Sequence, residues 1–205
     1  MDLKFEHLEG NINKTILVLF IVVLFYTISL FIAPLTLEPG TVEGLDGAAN
    51  QVDYEEKWEE LPLYHRLVYH FSDFNCHQRH YRSYYLNGNQ MPVCARDVGI
   101  FIGFSAGFLL MTFVRGGKEF KDQILGLINI DPKISEMKKR AILLALGAVF
   151  VLPIALDGGI QLVTDYESFN ELRTVTGLIF GFGFSIFVSA LLLSVAPVWE
   201  YESSN

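Results

Sequence analysis

The sequence predicts an all-α membrane protein with four transmembrane helices and both termini cytoplasmic (N-in/C-in). An extracytoplasmic amphipathic helix and a cytoplasmic interfacial helix complete it. Three observations support this. The apolar residues, 51% of the 205, are gathered into long runs instead of recurring at core-forming periods. Four of those runs are long enough to cross roughly 30 Å of hydrocarbon. Lysine and arginine are also divided unevenly between the connections that join the runs.

The first span runs from Thr15 to Leu37. Its apolar stretch exceeds a signal-peptide core, and Pro34-Leu35-Thr36 offers no small-x-small cleavage pattern, so it reads as a retained helix. The second runs from Val98 to Val114, the third from Ala141 to about Val163 and the fourth from Thr174 to Trp199. A single membrane domain covers 1–205, with an outer connection at 38–97 and an inner one at 115–140. The inner connection carries Arg115, Lys118, Lys121, Lys133, Lys138, Lys139 and Arg140, which assigns it to the cytoplasm. From Glu38 to Cys94, nine acidic residues face only Lys57, Arg66, Arg79 and Arg82. The link between the last two spans sets Asp165, Glu167 and Glu171 against Arg173. Both therefore belong outside, in a plasma-membrane protein whose Cys76 loop is extracytoplasmic.

Within the inner connection, Phe120, Ile124, Leu127 and Ile128 recur at helical spacing between charges, as in a helix lying on the membrane surface. Asp131-Pro132 then reads as N-cap and first residue of the third helix. In the outer connection "EPGTVEGLDGAAN" is a loop. After Pro62, Leu63, Leu67 and Phe71 form a helical stripe with Tyr64 and Val68 alongside, for packing on the bundle or the outer leaflet.

The polar residues are concentrated in a few places. "CHQRHYRS", "PVCARD", Asp157 with Gln161, and "SFNELR" come from four separate segments yet share one membrane level. Counting about 1.5 Å per residue from Ala141 puts Asp157 roughly 24 Å along the third helix, near its outer end. An acid at that depth needs a partner or a wet cavity, and both Arg96 and Arg173 are candidates. Five of the seven arginines (Arg66, Arg79, Arg82, Arg96 and Arg173) lie on or border the outer side, against one lysine of eight. The guanidinium fork suits phosphate and carboxylate and tolerates partial burial. The partition fits either an anionic ligand or pairing with the outer acids. Cys76 and Cys94 have three readings: a disulfide, a pair of free thiols, or a divalent metal site such as zinc that uses Cys76, His77 or His80, and Cys94. Cys76 and His80 are four apart and would share a face if the stretch were helical, and Asp157 could complete the set.

Gly99, Gly103 and Gly107 on the second span, and Gly177 and Gly181 on the fourth, are stripes for close helix packing. Pro153 and Gly158-Gly159 predict a bend or unwound turn beside Asp157, and Ser168 or Asn170 a cap for the last helix.

"CHQRHYRS", "PVCARDVGIFIGF", "LPIALDGGIQ" and "SFNELRTVTGLIFGFG" together resemble an uncharacterised prokaryotic multi-pass membrane-protein family, a domain of unknown function. The resemblance runs from about residue 62 to 190. It implies that Cys76, His77, Arg82, Ser83, Cys94, Arg96, Asp157, Gln161, Asn170 and Arg173 are its polar motif positions. Asp97 departs from the pattern, where an uncharged residue is expected.

The net charge of −8 argues against nucleic acid as a partner. The leading expectation is an outward-facing site for a phosphate-bearing lipid or other anion. Arg82, Arg96, Gln161, Asn170 and Arg173 would bind it, and Asp157 or His77 would handle protons. The alternatives are a metal- or redox-active protein built on Cys76, His77, His80 and Cys94, and a non-catalytic subunit of a membrane complex. The expected partners are membrane lipid, another membrane protein or a second copy of the chain.

Overall fold

The computed structural model describes residues 12–131 and 133–195. Pro132, the end of the fourth expected span at 196–199 and both chain termini lie outside the described residues. In chain order the helices are α1 (Lys14–Thr36), α2 (Glu55–Glu59), α3 (Leu63–Asn75), α4 (Ala95–Thr112), α5 (Phe120–Leu127), α6 (Glu136–Val163) and α7 (Asn170–Val195). A single 3-10 turn, His80–Arg82, and a two-stranded hairpin, β1 (Tyr85–Leu86) with β2 (Asn89–Gln90), lie between α3 and α4. Helices α1, α4, α6 and α7 are long and apolar enough to cross a membrane, as the four runs predict.

Local chemistry moves several boundaries. Asn13 caps α1, its Oδ1 accepting from the Ile16 N–H at 3.1 Å. α6 starts at Glu136 with Ser135 at the cap position, not at Asp131-Pro132. The Asp131 carboxylate instead closes a local turn by accepting from the Lys133 N–H at 2.8 Å. α6 also continues through Pro153 and Gly158-Gly159 as one helix, without the unwound turn that was one of the two expectations there. α7 starts at Asn170, four residues before the expected span, and the side chains expected to cap it are engaged elsewhere. The Ser168 hydroxyl accepts from Gln161 Nε2 at 2.9 Å, and the Asn170 amide reaches the Ser83 carbonyl at 3.3 Å.

At one end of the bundle Ile16, Phe108, Met111, Ile124, Ile186 and Leu193 form a buried cluster. Helix α5 contributes Ile124, and its Phe120 ring lies 6.0 Å from that of Phe187. Much of the apolar face of α5 is therefore buried in protein. Helix α3 at the other end behaves in the opposite way. Leu63, Leu67 and Phe71 are 71%, 62% and 53% exposed, while Val68, Tyr69, Ser72 and Asp73 face inward. The expected stripe thus points away from the protein, as a helix lying against lipid requires.

The most intimate helix pair is α4 with α7. A Cβ at Gly99 or Gly103 would collide with the backbone of Thr174 or Leu178, and one at Gly177 or Gly181 with the carbonyls of Arg96 or Ile100. Backbone meets backbone along both expected stripes. On α6, by contrast, Gly147 and Gly159 have nothing within 4 Å of an added Cβ. Gly177→Val is therefore expected to destabilise the protein by about 1–3 kcal/mol or more through overpacking. Gly159→Ala should be neutral or stabilise by up to about 1 kcal/mol, since alanine is the better helix former. Thermal unfolding of the two variants in detergent checks the contrast.

Candidate functional site

The two connections expected outside meet at the same end of the bundle. The Tyr84 and Thr174 hydroxyls are 2.9 Å apart, and Arg82 is paired with Glu167 at 2.7 Å. Residues 38–94 are fixed there by buried side-chain amides. Asn87 and Gly88, with φ of +50° and +72°, make the tight turn that joins β1 to β2. Asn89 then donates to the carbonyls of Pro34 and Glu38 at the end of α1 and accepts from the Val42 N–H. Gln90 accepts from the Leu45 N–H and donates to the Gln78 carbonyl, and Gln78 donates to the Pro92 carbonyl. Asp73 is fully buried and accepts from Trp58 Nε1 and from the N–H groups of Asp53 and Tyr54, all within 3.0 Å. Burial pushes its carboxyl pKa up, while those donors pull the other way.

Upon this frame lie two ion-paired groups linked through the Gln161 amide. Arg96 of α4 is paired with Asp157 of α6, whose side chain is 3% exposed. Between the two expected partners of Asp157, the structure selects Arg96. Arg173 is 2% exposed and donates to Glu167 at 2.5 Å, to Gln161 at 3.3 Å and to Asn170 at 3.2 Å. Gln161 also donates to the Asp157 carbonyl, so Arg82, Glu167, Arg173, Gln161, Asp157 and Arg96 are joined in sequence. Several buried atoms of the network have no partner within the protein: Asp157 Oδ1, Arg96 Nε and Arg173 Nε. Burial opposes ionisation of Glu167, but Arg82 and Arg173 outweigh it and hold the carboxyl below its ordinary range.

A second cluster lies beside the first. Cys76 is buried at the C-terminal end of α3, and Cys94 occupies the cap position of α4. The Cys94 N–H donates to Cys76 Sγ at 3.2 Å, and Cys94 Sγ lies 3.3 Å from Asp97 Oδ2. The structure holds no bond between the two sulfurs. The Cys94 thiol, together with burial, holds the Cys76 pKa well above its ordinary value. The expected ligand set was Cys76, His77 or His80, and Cys94. Among the described residues the cluster is Cys76, Cys94 and Asp97, with neither His77, His80 nor Asp157 in it. The helical premise for Cys76 and His80 fails because α3 ends at Asn75 and Gln78 turns the chain at φ +48°. His77 and His80 are exposed, His80 lying edge-on to Tyr81. Of the two alternative proton-handling groups, Asp157 is buried and paired with Arg96, and His77 is exposed.

Sequence reasoning missed Asp73, Gln78, Asn89 and Gln90, and treated Asp97 only as a departure. Asn87-Gly88 was the available signal, because that dipeptide is the strongest short-range mark of a hairpin. No comparable short pattern announces the buried amides.

Four apolar spanning helices with a polar cluster at one end define a small multi-pass membrane protein. The chain belongs to the family described as "Predicted membrane protein (DUF2085)", which matches residues 76–187. The match opens at Cys76 and contains both clusters. The chain is similar to an uncharacterised protein of Methanocaldococcus jannaschii, at 30% identity over 170 residues, covering 83% of this chain and 87% of that one. It is also similar to an uncharacterised protein of Methanothermobacter thermautotrophicus, at 28% identity over 116 residues, covering 57% and 86% respectively. No solved structure matches significantly.

The Glu167 pairing has a pH signature. A depressed carboxylate stabilises the fold above its unfolded pKa, near 4.3, and that stability is lost as pH falls through the lower folded value. The melting temperature of the wild type should exceed that of Glu167→Gln at neutral pH, with the gap closing below about pH 4. A constant gap across the titration would refute the pairing.

Proposed function

We propose that the protein is a plasma-membrane binding protein with both termini cytoplasmic and an outward-facing site for an anionic group carried by membrane lipid, a phosphate-bearing headgroup. The orientation rests on the charges of the connections: seven lysines and arginines at 115–140 against the acidic 38–94. The observation that carries the ligand reading is the unequal burial around one carboxylate. Arg173 is almost wholly buried, whereas Glu167, which it shares with Arg82, is 45% exposed. Three guanidiniums face the two carboxylates of Asp157 and Glu167, so the network keeps one positive charge over.

Glu167 is the replaceable arm. An incoming phosphate displaces it from Arg82 and Arg173 and is held by the same donors, with Gln161 and Asn170 keeping Arg173 in place. Arg96 and Asp157 hold α6 at the edge of the site, and Asp157 Oδ1, which has no partner in the protein, is the acceptor assigned here to a protonated phosphate oxygen. The exposed apolar length of α6 faces lipid, the phase from which such a headgroup arrives.

Binding of short-chain phosphatidic acid and of inorganic phosphate to the purified protein tests this. Glu167→Gln should bind the phosphate group about 5-fold or more tighter, and Arg82→Ala correspondingly weaker. Failure of both wild type and Glu167→Gln to bind either probe overturns the reading. For orientation, an impermeant thiol reagent applied to intact cells should label Glu43→Cys and leave Lys118→Cys untouched. Labelling of the latter alone reverses the topology.

A further inference from the structure

The thiol cluster goes beyond the anion site and shares no side chain with it. We infer that Cys76, Cys94 and Asp97 bind one soft divalent cation of the zinc class through two thiolates and a carboxylate. One ligand atom from each residue lies within 4.8 Å of the others. A tetrahedral zinc with bonds of about 2.3 Å to sulfur holds two sulfurs roughly 3.7 Å apart, so a small inward movement of these side chains closes the site.

The backbone prepares the three ligands in different ways. Cys76 is anchored where α3 stops, its N–H bonded to the Ser72 carbonyl at 2.9 Å. Cys94 begins α4, and its N–H already points at Cys76 Sγ, a donor that favours sulfur carrying negative charge. Asp97 sits three residues further on, in the first turn of α4, with one oxygen at Cys94 Sγ. The positive end of the α4 dipole supports anionic ligands at all these positions. Zinc held by two thiolates and one carboxylate makes a centre with one net negative charge, next in the chain to Arg96. Three protein ligands leave the fourth tetrahedral position open, the pattern of a site that can hold water or an incoming donor.

The experiment uses the full chain purified in detergent under anaerobic, reducing conditions and titrated with Co²⁺, whose thiolate complexes absorb in the near ultraviolet. The expected result is a thiolate-to-cobalt charge-transfer band that saturates at one cobalt per chain and is abolished by added Zn²⁺. Asp97→Asn should weaken binding about tenfold or more while leaving both thiols titratable, and His80→Ala should match the wild type. Absence of the band in wild-type protein whose two thiols react fully with Ellman's reagent overturns the assignment. So does a quantitative Cys76–Cys94 disulfide in protein alkylated directly from cells. Both readouts are made on the unaltered chain and need no variant to fold.

Discussion

The close approach of α4 to α7 is the constraint on which the rest of the molecule depends. Lipid gives two apolar helices no hydrophobic reason to associate, so close backbone packing supplies the attraction. Gly99 and Gly103 lie against the backbone of Thr174 and Leu178, and Gly177 and Gly181 against the carbonyls of Arg96 and Ile100, so tightly that no side chain fits there. The Arg96 carbonyl rests on Gly177, which brings the first turn of α4 level with the second turn of α7. Thr174 fastens this register by donating to the Ala95 carbonyl and sharing a hydrogen bond with Tyr84. The contacts that Arg96 and Arg173 make at this end inherit their geometry from that alignment.

Helix α6 is held differently. Little of its apolar length is covered by protein, and its packing on α7 includes Phe150 lying over Gly183. Near its other end the Arg96–Asp157 pair ties it to α4. A buried pair costs desolvation of both charges, and breaking one partner leaves the other stranded at about 3–5 kcal/mol. The pair therefore fixes where α6 sits more than it adds to net stability. The same location keeps Gln161 within reach of both Arg173 and Ser168, which joins the ion pair to the link between α6 and α7.

The sequence announces the features that follow a period or a run: the four spans, the glycine stripes, the two amphipathic helices and the convergence of "CHQRHYRS", "PVCARD", Asp157 and "SFNELR" at one level. Hydropathy and spacing are local properties, and they survive folding. What stayed hidden depends on contacts between distant residues. Asp73 looks like an ordinary helix acid until Trp58 and two backbone N–H groups fold onto it. Gln78 and Gln90 look like surface amides until Gln90 takes the Leu45 N–H and the Gln78 carbonyl, and Gln78 the Pro92 carbonyl. The stripe on α3 was legible, but its direction was not, because a helix between protein and lipid can turn its apolar face to either. The expected Cys76–His80 pair failed at one residue, Gln78, whose left-handed backbone no periodicity reveals.

Asp97 shows how adjacent residues can serve separate chemistry. Beside Arg96 it looks like an acid that would cancel the arginine and upset the charge balance of the site. Successive helical residues, however, project about 100° apart. The first turn of α4 therefore sends Arg96 toward α6, where Asp157 balances it, and Asp97 toward the cysteines at its own N-terminus. The cation of one cluster and the anion of the other are neighbours in the chain and partners of neither's partner. One helix end thus supports an arginine-rich site and a thiol–carboxylate site side by side, and α7 holds both by keeping that end in place.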